Sequence, residues 1–235
     1  MPVHVYSNWN KRATDQEEKK EPYRHYYFIC EGEKTEPYYI KSLINNRKKL
    51  GIHPLIDIRL MEKTGKHTHL SAPSKLVDFA IKQKKKLDNY DKKLDRVIIV
   101  FDADVFETMY KNYDEIVEKV EQESDNILGV TNPGFELFLL LHLDDAYEKY
   151  IKGHEKEFMT PTKGNSYGYA YELVKEELGI DPKKDPKIGD LANDILKAIE
   201  EEKNINQDTH NVKGKITSNI GQIIAEIINE KVISN

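Results

Sequence analysis

Two apolar runs that each end in a cluster of carboxylates constrain the fold of this chain more than any other feature. The runs cover residues 26–30 and 97–101, and the acids that follow them are Glu31, Glu33, Glu36, Asp102 and Asp104. Converging carboxylates repel one another and resist desolvation, so they need compensation, which a hard divalent cation such as Mg²⁺ usually supplies. Two such strands side by side in a parallel sheet would place both clusters at the edge where open α/β sheets bind ligands.

Strand and helix patterns alternate along the chain as far as residue 144. Apolar or alternating runs predict strands at residues 25–30, 54–61, 95–101 and 126–130. Amphipathic stretches predict helices at residues 35–51, 71–90, 110–124 and 135–143. This order predicts an α/β fold with a mostly parallel four-stranded sheet flanked by helices.

Changes in composition predict three segments. Residues 1–22 form a polar N-terminal tail, because the highly charged stretch at residues 16–21 cannot bury an apolar face. Residues 23–144 form the α/β core. Residues 145–235 form a helical C-terminal region, in which helices are expected at residues 167–178, 188–202 and 216–231, separated by chain breakers at 153–168 and 181–186.

The net charge limits the kinds of partner that the chain can have. It carries 36 Lys and Arg residues against 41 Asp and Glu residues, which gives a net charge of −5. A basic footprint over the whole chain is therefore absent, which argues against a protein that passively coats nucleic acid. A nuclease stays open, because a bound metal offsets the site carboxylates and basic patches can be local.

Cysteine usage and hydropathy bear on the cellular compartment. Cys30 is the only cysteine, and its place in the first predicted strand favours a buried core thiol. No disulfide can form within the chain, which fits a reducing compartment. We expect neither a signal peptide nor a membrane span, because no apolar run approaches the roughly 20 residues that a membrane helix needs.

Three motifs at the ends of the predicted strands occur together in this chain. They are Ile-Cys-Glu-Gly-Glu-Lys-Thr-Glu-Pro-Tyr-Tyr at residues 29–39, Phe-Asp-Ala-Asp at 101–104, and Thr-Asn-Pro-Gly-Phe-Glu-Leu-Phe-Leu-Leu-Leu-His at 131–142. Together they resemble the RloB family, which contains Toprim-like proteins of bacterial anti-phage and abortive-infection systems, related to OLD-family nucleases. The resemblance continues weakly towards the end of the chain.

The resemblance implies a Toprim-like core and gives its charged residues roles. Glu31 matches the Toprim glutamate, which is proposed as a general base or metal ligand, and Glu36 matches the second acid of OLD-like nucleases. Glu136 lies in a signature segment of the family. Lys163 resembles a later lysine of the family, which would stabilise charge on phosphorus in the transition state.

The residues themselves leave alternatives open for these acids. Asp102 and Asp104 can face one cation, because alternate residues leaving a strand project the same way, although Asp-x-Asp is also common in turns and caps. Glu36 is either a ligand or a first-turn acid that complements the helix dipole. Glu136 is either a ligand or part of a capping box with Asn132.

Basic side chains must contact phosphates if the substrate is a nucleic acid. The loop after the second strand carries such groups at the predicted ligand edge, namely Lys63, Lys66, His67 and His69. For each loop lysine, including Lys163, the alternative is simple solvation. A zinc site at His67 and His69 is disfavoured, because no third ligand lies near in sequence. The lysine-rich stretch at residues 82–86 is interpreted as a solvated helix face, with a backbone-binding patch as the alternative.

We therefore expect a Mg²⁺- or Mn²⁺-dependent nuclease that hydrolyses phosphodiester bonds in RNA, including tRNA, or in DNA. Glu31, Asp102 and Asp104 would form the central metal site, and Glu36 and Glu136 would complete a second one.

The resemblance also implies a biological setting, which is that of an anti-phage effector in the bacterial cytoplasm, beside an ATPase partner. A homo-oligomer is left open. The chain lacks a phosphate-binding loop motif, so it is not expected to hydrolyse ATP itself. The alternative function is a non-catalytic or partner-activated effector or binding module, whose acids serve caps and salt bridges.

Overall fold

A six-stranded sheet forms the centre of the computed structural model, which describes residues 3–7, 23–70, 72–104, 110–160 and 167–232. The strands are β1 (Val3–Tyr6), β2 (Arg24–Cys30), β3 (Ile56–Lys63), β4 (Arg96–Asp102), β5 (Asn126–Asn132) and β6 (Thr217–Ser218). Their order across the sheet is β1-β3-β2-β4-β5-β6. The α/β class predicted from the sequence is confirmed.

The four central strands run parallel, and the two edge strands run antiparallel to their neighbours. The prediction of four strands was therefore incomplete. β1 lies within the segment predicted to be a polar tail, where four residues are too few to show a clear alternation. β6 has two residues and depends on pairing with Thr131 and Asn132 of β5.

Eight α-helices are described around this sheet. They are α1 (Thr35–Asn46), α2 (Pro73–Lys84), α3 (Tyr110–Glu121), α4 (Phe135–Leu140), α5 (Glu155–Phe158), α6 (Tyr169–Leu178), α7 (Ile195–Glu202) and α8 (Ile220–Ile228). The helix expected at residues 188–202 is divided, since a 3₁₀ helix at Pro186–Asp194 precedes α7. A π-helical turn covers Tyr147–Ile151.

Both faces of the sheet are buried, which explains the unbroken apolar run of β2. Tyr26, Phe28 and Cys30 point into one hydrophobic cluster, which contains residues of α1, α4 and the C-terminal helices. Tyr27 and Ile29 point into the other, which contains residues of α2 and α3. Cys30 is buried as expected.

The C-terminal helices share a core with the sheet. Val174 of α6, Ile195 of α7 and Ile224 of α8 belong to the same cluster as Leu139 of α4. The segmental division at residue 144 stays a prediction. None of the helices that the structure describes has the length and apolar composition that a membrane crossing requires.

The interpretation of residues 82–86 as a solvated helix face is wrong for Lys84. Its side chain is 2% exposed, and its ammonium contacts Asp125 at 3.0 Å and Glu123 at 2.7 Å. It also donates a hydrogen bond to the Asn126 side chain at 2.8 Å. Lys84 therefore joins the end of α2 to the segment that leads into β5. Gln83 is equally buried, whereas Lys82, Lys85 and Lys86 are exposed as predicted.

Candidate functional site

Carboxylates from four elements gather at the carboxyl edge of the parallel strands. They surround a cavity of about 290 Å³. The cavity is lined by Glu31, Gly32, Glu33, Lys34, Thr35, Glu36, His69, Asp102, Phe135, Glu136 and Lys183. The two acidic clusters of the sequence thus meet at the edge where parallel strands were expected to bring them.

Glu31 directly follows β2, and the sheet fixes its position. Its backbone N–H donates to the Val100 carbonyl at 2.9 Å, and its Oε2 accepts a hydrogen bond from the Asp102 N–H at 3.2 Å. Burial raises the pKa of Glu31 to about 7, and the negative charges of Glu36 and Asp104 add to the rise. Glu31 thus titrates near neutrality, which suits a group that exchanges protons.

Glu36 lies in the first turn of α1 and is only 4% exposed. Its Oε1 accepts a hydrogen bond from the Gly32 N–H at 2.8 Å, and a Cβ atom at Gly32 would collide with the Glu36 carboxylate. Burial raises the pKa of Glu36, as does the nearby charge of Glu136. Complementing the helix dipole does not require such burial, so that interpretation alone does not account for Glu36.

Asp102 ends β4 beside Thr131 of β5, its partner in the register of the two strands. The Thr131 hydroxyl donates to Asp102 Oδ1 at 2.5 Å. Burial raises the pKa of Asp102 well above its ordinary value, and the charges of Glu36 and Glu136 act in the same direction. Asp104 lies beyond the strand and is exposed, but it is close enough to contribute to the raised pKa of Glu31.

Glu136 lies in the first turn of α4 and is 7% exposed. The capping-box interpretation is wrong, because Gly134 occupies the N-cap position and the Asn132 amide donates to the carbonyls of Val212 and Lys215, each at 3.1 Å. A Cβ atom on Gly134 would lie 3.0 Å from Glu136 Oε2 and 3.4 Å from Asp102 Oδ2. These two carboxylates therefore flank the same glycine.

Lys183 belongs to the site, and sequence reasoning did not find it. Its ammonium forms an ion pair with Glu136 Oε1. This oxygen is buried and accepts no hydrogen bond from the described residues. Burial opposes the charged form, but the Glu136 carboxylate outweighs it and raises the pKa of Lys183. The turn is held in place by Thr35 Oγ1, which donates to the Pro182 carbonyl at 2.6 Å.

The predicted basic loop is only partly available for phosphates. The Lys63 ammonium donates to the backbone carbonyls of Glu31 and Leu70, the latter at 2.7 Å, so it supports the strand end that carries Glu31. His69 pairs with Glu33 at 2.5 Å, and His67 lies against the Phe79 ring. The Lys66 side chain and the whole of Lys163 lie outside the described residues.

The comparison with known families confirms the resemblance. The family model of the RloB-like proteins matches residues 26–227, which includes every element of the site. The chain belongs to the RloB-like family. No curated protein and no solved structure matches it.

The donor atoms of this RloB-like site are of the type that binds a hard cation, but their arrangement does not form a metal site. Glu31, Glu36, Asp102 and Glu136 offer oxygen ligands only, which is the donor type that Mg²⁺ and Mn²⁺ prefer. The pKa values of Glu31, Glu36 and Asp102 are raised, as expected for carboxylates that lack a sufficient counter-charge. Glu136 is paired with Lys183. Within the described ranges, no three His, Cys, Asp or Glu side chains lie close enough together to hold a metal ion.

Proposed function

We propose that this site hydrolyses phosphodiester bonds with the help of Mg²⁺ or Mn²⁺. The observation that carries the proposal is the mutual proximity of Glu36, Asp102 and Glu136, whose charges raise the pKa values of Glu36 and Asp102. Such an arrangement is costly for stability, and perturbed carboxylates in a cleft are typical of functional sites. Their position at the carboxyl edge of a parallel sheet agrees with where such sheets bind ligands.

The proposed metal-binding roles are those predicted from the sequence. Glu31, Asp102 and Asp104 would hold the central cation, and Glu36 and Glu136 would complete a second position. Bound cations would supply charge neutralisation for the phosphate and a lowered pKa for the attacking water.

The chain itself contributes a base and a cation. Where Glu31 does not itself bind the cation, its pKa of about 7 suits it to accept the proton of the attacking water. Lys183 is placed to pair with a phosphate oxygen once a cation replaces it at Glu136, which would stabilise the charge on phosphorus. Lys163 keeps the same proposed role on the strength of the resemblance alone.

The biological setting is proposed from the family. Membership in the RloB-like family supports a Toprim-type nuclease that acts as an anti-phage effector in the bacterial cytoplasm. Its substrates would be RNA, including tRNA, or DNA. An ATPase partner would supply the sensing step, and self-association is compatible with the proposal.

A second candidate function is a non-catalytic or partner-activated binding module. The observation that favours it is the ion pair between Lys183 and Glu136, by which the protein provides one counter-charge for its own carboxylates. The described residues contain no group of three or more acids, histidines or cysteines arranged to hold a metal ion, which agrees with this candidate. In this candidate, a partner would have to rearrange the site before any chemistry.

A cleavage assay with a matched set of variants tests the proposal. Labelled RNA, tRNA and DNA are incubated with wild type, Asp102→Asn and Glu31→Gln, in Mg²⁺, in Mn²⁺ and in chelator. Asp78→Asn is the control, because this exposed carboxylate on α2 lies outside the cavity. Calorimetric titration with Mn²⁺ on the same proteins gives a second readout that does not depend on the choice of substrate.

The outcomes separate the two candidates. Cleavage that requires metal, is lost in both site variants and persists in Asp78→Asn supports the nuclease. Mn²⁺ binding that is lost in the site variants, without cleavage by wild type, supports a partner-activated effector. Wild type that neither binds Mn²⁺ nor cleaves any substrate contradicts the metal-dependent proposal.

A further inference from the structure

Two stacked tyrosine rings lie at the start of α6. The ring centroids of Tyr167 and Tyr171 are 3.9 Å apart, and the ring planes are inclined by 22°. Tyr171 is buried, whereas Tyr167 is 48% exposed. Among the described residues, only Tyr167 and Leu196 are large apolar side chains with high exposure. An aromatic ring that is held flat and left in solvent presents a planar apolar surface for a ligand.

Asp181 connects this tyrosine pair to the carboxylate cavity. Its Oδ1 accepts a hydrogen bond from the Tyr171 hydroxyl at 3.1 Å and another from the Lys183 N–H at 3.0 Å. Lys183 in turn reaches Glu136 inside the cavity. The Tyr171 hydroxyl and the Lys183 backbone N–H therefore bind the same oxygen of Asp181, and Asp181 and Lys183 lie in the same turn.

The same turn supplies positive charge at its surface. Lys183, Lys184 and Lys187 lie within five residues of one another, and all three are exposed to solvent. Lys184 is near Asp181, with 3.8 Å between its ammonium and Oδ2. With Asp181 and Asp185 counted against the three lysines, residues 181–187 carry a net charge of +1, whereas the chain as a whole carries −5. Aromatic planes next to a basic track are the combination that binds single-stranded nucleic acid.

We propose that the exposed ring of Tyr167 stacks on an unpaired nucleobase, while the neighbouring phosphates follow the lysines towards the cavity. The inference rests on the proposed phosphodiester hydrolysis and names its substrate class, a single-stranded or locally unpaired segment. A base in a duplex is covered on both faces by its neighbours, so it offers no free face to Tyr167. RNA and DNA share this chemistry, because every base has an aromatic face.

A binding experiment isolates the stacking contact from charge. Fluorescence anisotropy measures the affinity of wild type, Tyr167→Ala and Tyr167→Phe for labelled oligouridine, oligothymidine, an abasic strand of equal charge, and a blunt duplex. Ca²⁺ replaces Mg²⁺ during binding, and the recovered strands are checked for intactness. Leu196→Ala is the matched control, because it removes the other exposed large apolar side chain of the described residues, and Leu196 does not line the cavity.

The expected result is specific to strands that carry unpaired bases. Tyr167→Ala should weaken binding of both base-bearing single strands about 5- to 150-fold, the range expected from one base–aromatic stack. Tyr167→Phe and Leu196→Ala should bind like wild type, and affinity for the abasic strand and the duplex should not change. Three results would overturn the inference. They are an unchanged single-strand affinity in Tyr167→Ala, an equal loss of affinity for the abasic strand, and no single-strand binding by wild type.

Failure of the nuclease proposal has a different signature. If stacking is present and cleavage is not, base-dependent binding still falls in Tyr167→Ala although wild type cuts no substrate. If cleavage is present and stacking is not, wild type cuts in Mg²⁺ and Tyr167→Ala cuts single strands with unchanged efficiency. The two measurements together therefore show which of the two statements fails.

Discussion

The ammonium of Lys183 and the carboxylate of Glu136 form an ion pair that joins the C-terminal region to the acidic edge of the sheet. Glu136 is 7% exposed, and the negative charges of Glu36 and Asp102 also act on Lys183. Lys183 thus supplies counter-charge where the protein concentrates carboxylates. A bound divalent cation would have to share or take over this role.

Removing Lys183 should therefore destabilise the metal-free protein. Lys183→Gln leaves Glu136 without its ion-pair partner, and we expect a loss of about 1–2 kcal/mol in the free energy of unfolding, the low end of the range for an uncompensated buried polar group because the Lys183 side chain is 46% exposed. Mn²⁺ should restore more stability to Lys183→Gln than to wild type. Urea unfolding in chelator and in Mn²⁺ measures both effects.

Lys184→Gln is the matched control for this experiment. Its side chain is 74% exposed and belongs to the same turn, so the free energy of unfolding should change by less than about 0.5 kcal/mol. Equal stability of Lys183→Gln and Lys184→Gln in chelator would show that Lys183 does not compensate the acidic cluster.

The hydrogen bond between Thr131 and Asp102 gives a second prediction. Thr131→Val keeps the shape of the side chain but removes the hydroxyl that orients Asp102 Oδ1. Loss of a group that orients a metal ligand typically costs 10- to 100-fold in metal affinity or activity, and we expect about this loss in Mn²⁺ affinity and cleavage rate. Titration calorimetry and single-turnover cleavage provide the measurements, and Thr131→Ser should recover most of the loss. Unchanged Mn²⁺ affinity in Thr131→Val would separate Asp102 from the metal.

The central part of the fold could be predicted from the sequence because its signals are local. β2 and β4 are unbroken apolar runs, and the acids that end them meet because parallel strands place their carboxyl ends together. The strand ends alone thus predict Glu31 and Asp102 as site residues, and the motifs that follow β2 and β5 add Glu36 and Glu136. Their burial and their influence on one another's pKa values required the structure.

The missing parts depend on contacts between distant segments. β6 has two residues and is a strand only through its pairing with β5. Two residues are too few to show the alternating pattern that predicts a strand. Lys183 lies in a turn between two prolines, which predicts a chain break and gives no information about what the side chain reaches. The burial of Lys84 was missed for a related reason, since its partners Asp125 and Asn126 lie on another element.

The buried position of Lys84 leads to a prediction about stability. Lys84→Met would leave Asp125 without its ammonium partner in a site where both side chains are almost fully buried. Breaking a buried ion pair by removing one partner costs about 3–5 kcal/mol, and we expect a loss near that range in urea unfolding. Lys86→Met is the control, because Lys86 is exposed two residues further on and should change stability by less than about 0.5 kcal/mol. A similar small change in both variants would contradict the role given to Lys84.

His142 predicts a pH dependence of stability. Its Nδ1 lies 3.1 Å from the carbonyls of Phe138 and Leu139, and its Nε2 lies 2.9 Å from the Tyr39 hydroxyl, which fits a neutral ring with the proton on Nδ1. Burial lowers the pKa of His142 from its ordinary 6.5 to about 4. Between these two values the unfolded chain binds a proton that the folded protein does not.

The stability contributed by neutral His142 is therefore present above about pH 6.5 and is lost as the pH falls towards 4, by up to about 3 kcal/mol in total. Urea unfolding of wild type and His142→Gln across this window isolates the effect, since the other titrating groups are common to both proteins. Wild type should lose stability more steeply than the variant as the pH is lowered. Parallel pH profiles would show that folding does not lower the pKa of His142.

Substitution of Gly134 tests whether Asp102 and Glu136 border one metal-binding site, as the proposed pair of cations requires. Its φ of −163° is extended backbone that alanine also adopts, so Gly134→Ala should change the free energy of unfolding by less than about 1 kcal/mol. The added methyl group would lie 3.0 Å from Glu136 Oε2 and 3.4 Å from Asp102 Oδ2, in the space between the two carboxylates. Because small displacements in a site can cost about 100-fold in rate, we expect Mn²⁺ affinity and cleavage to fall at least about tenfold while thermal unfolding is nearly unchanged. Wild-type Mn²⁺ affinity in a stable Gly134→Ala protein would mean that the space between the two carboxylates is not part of the metal-binding site.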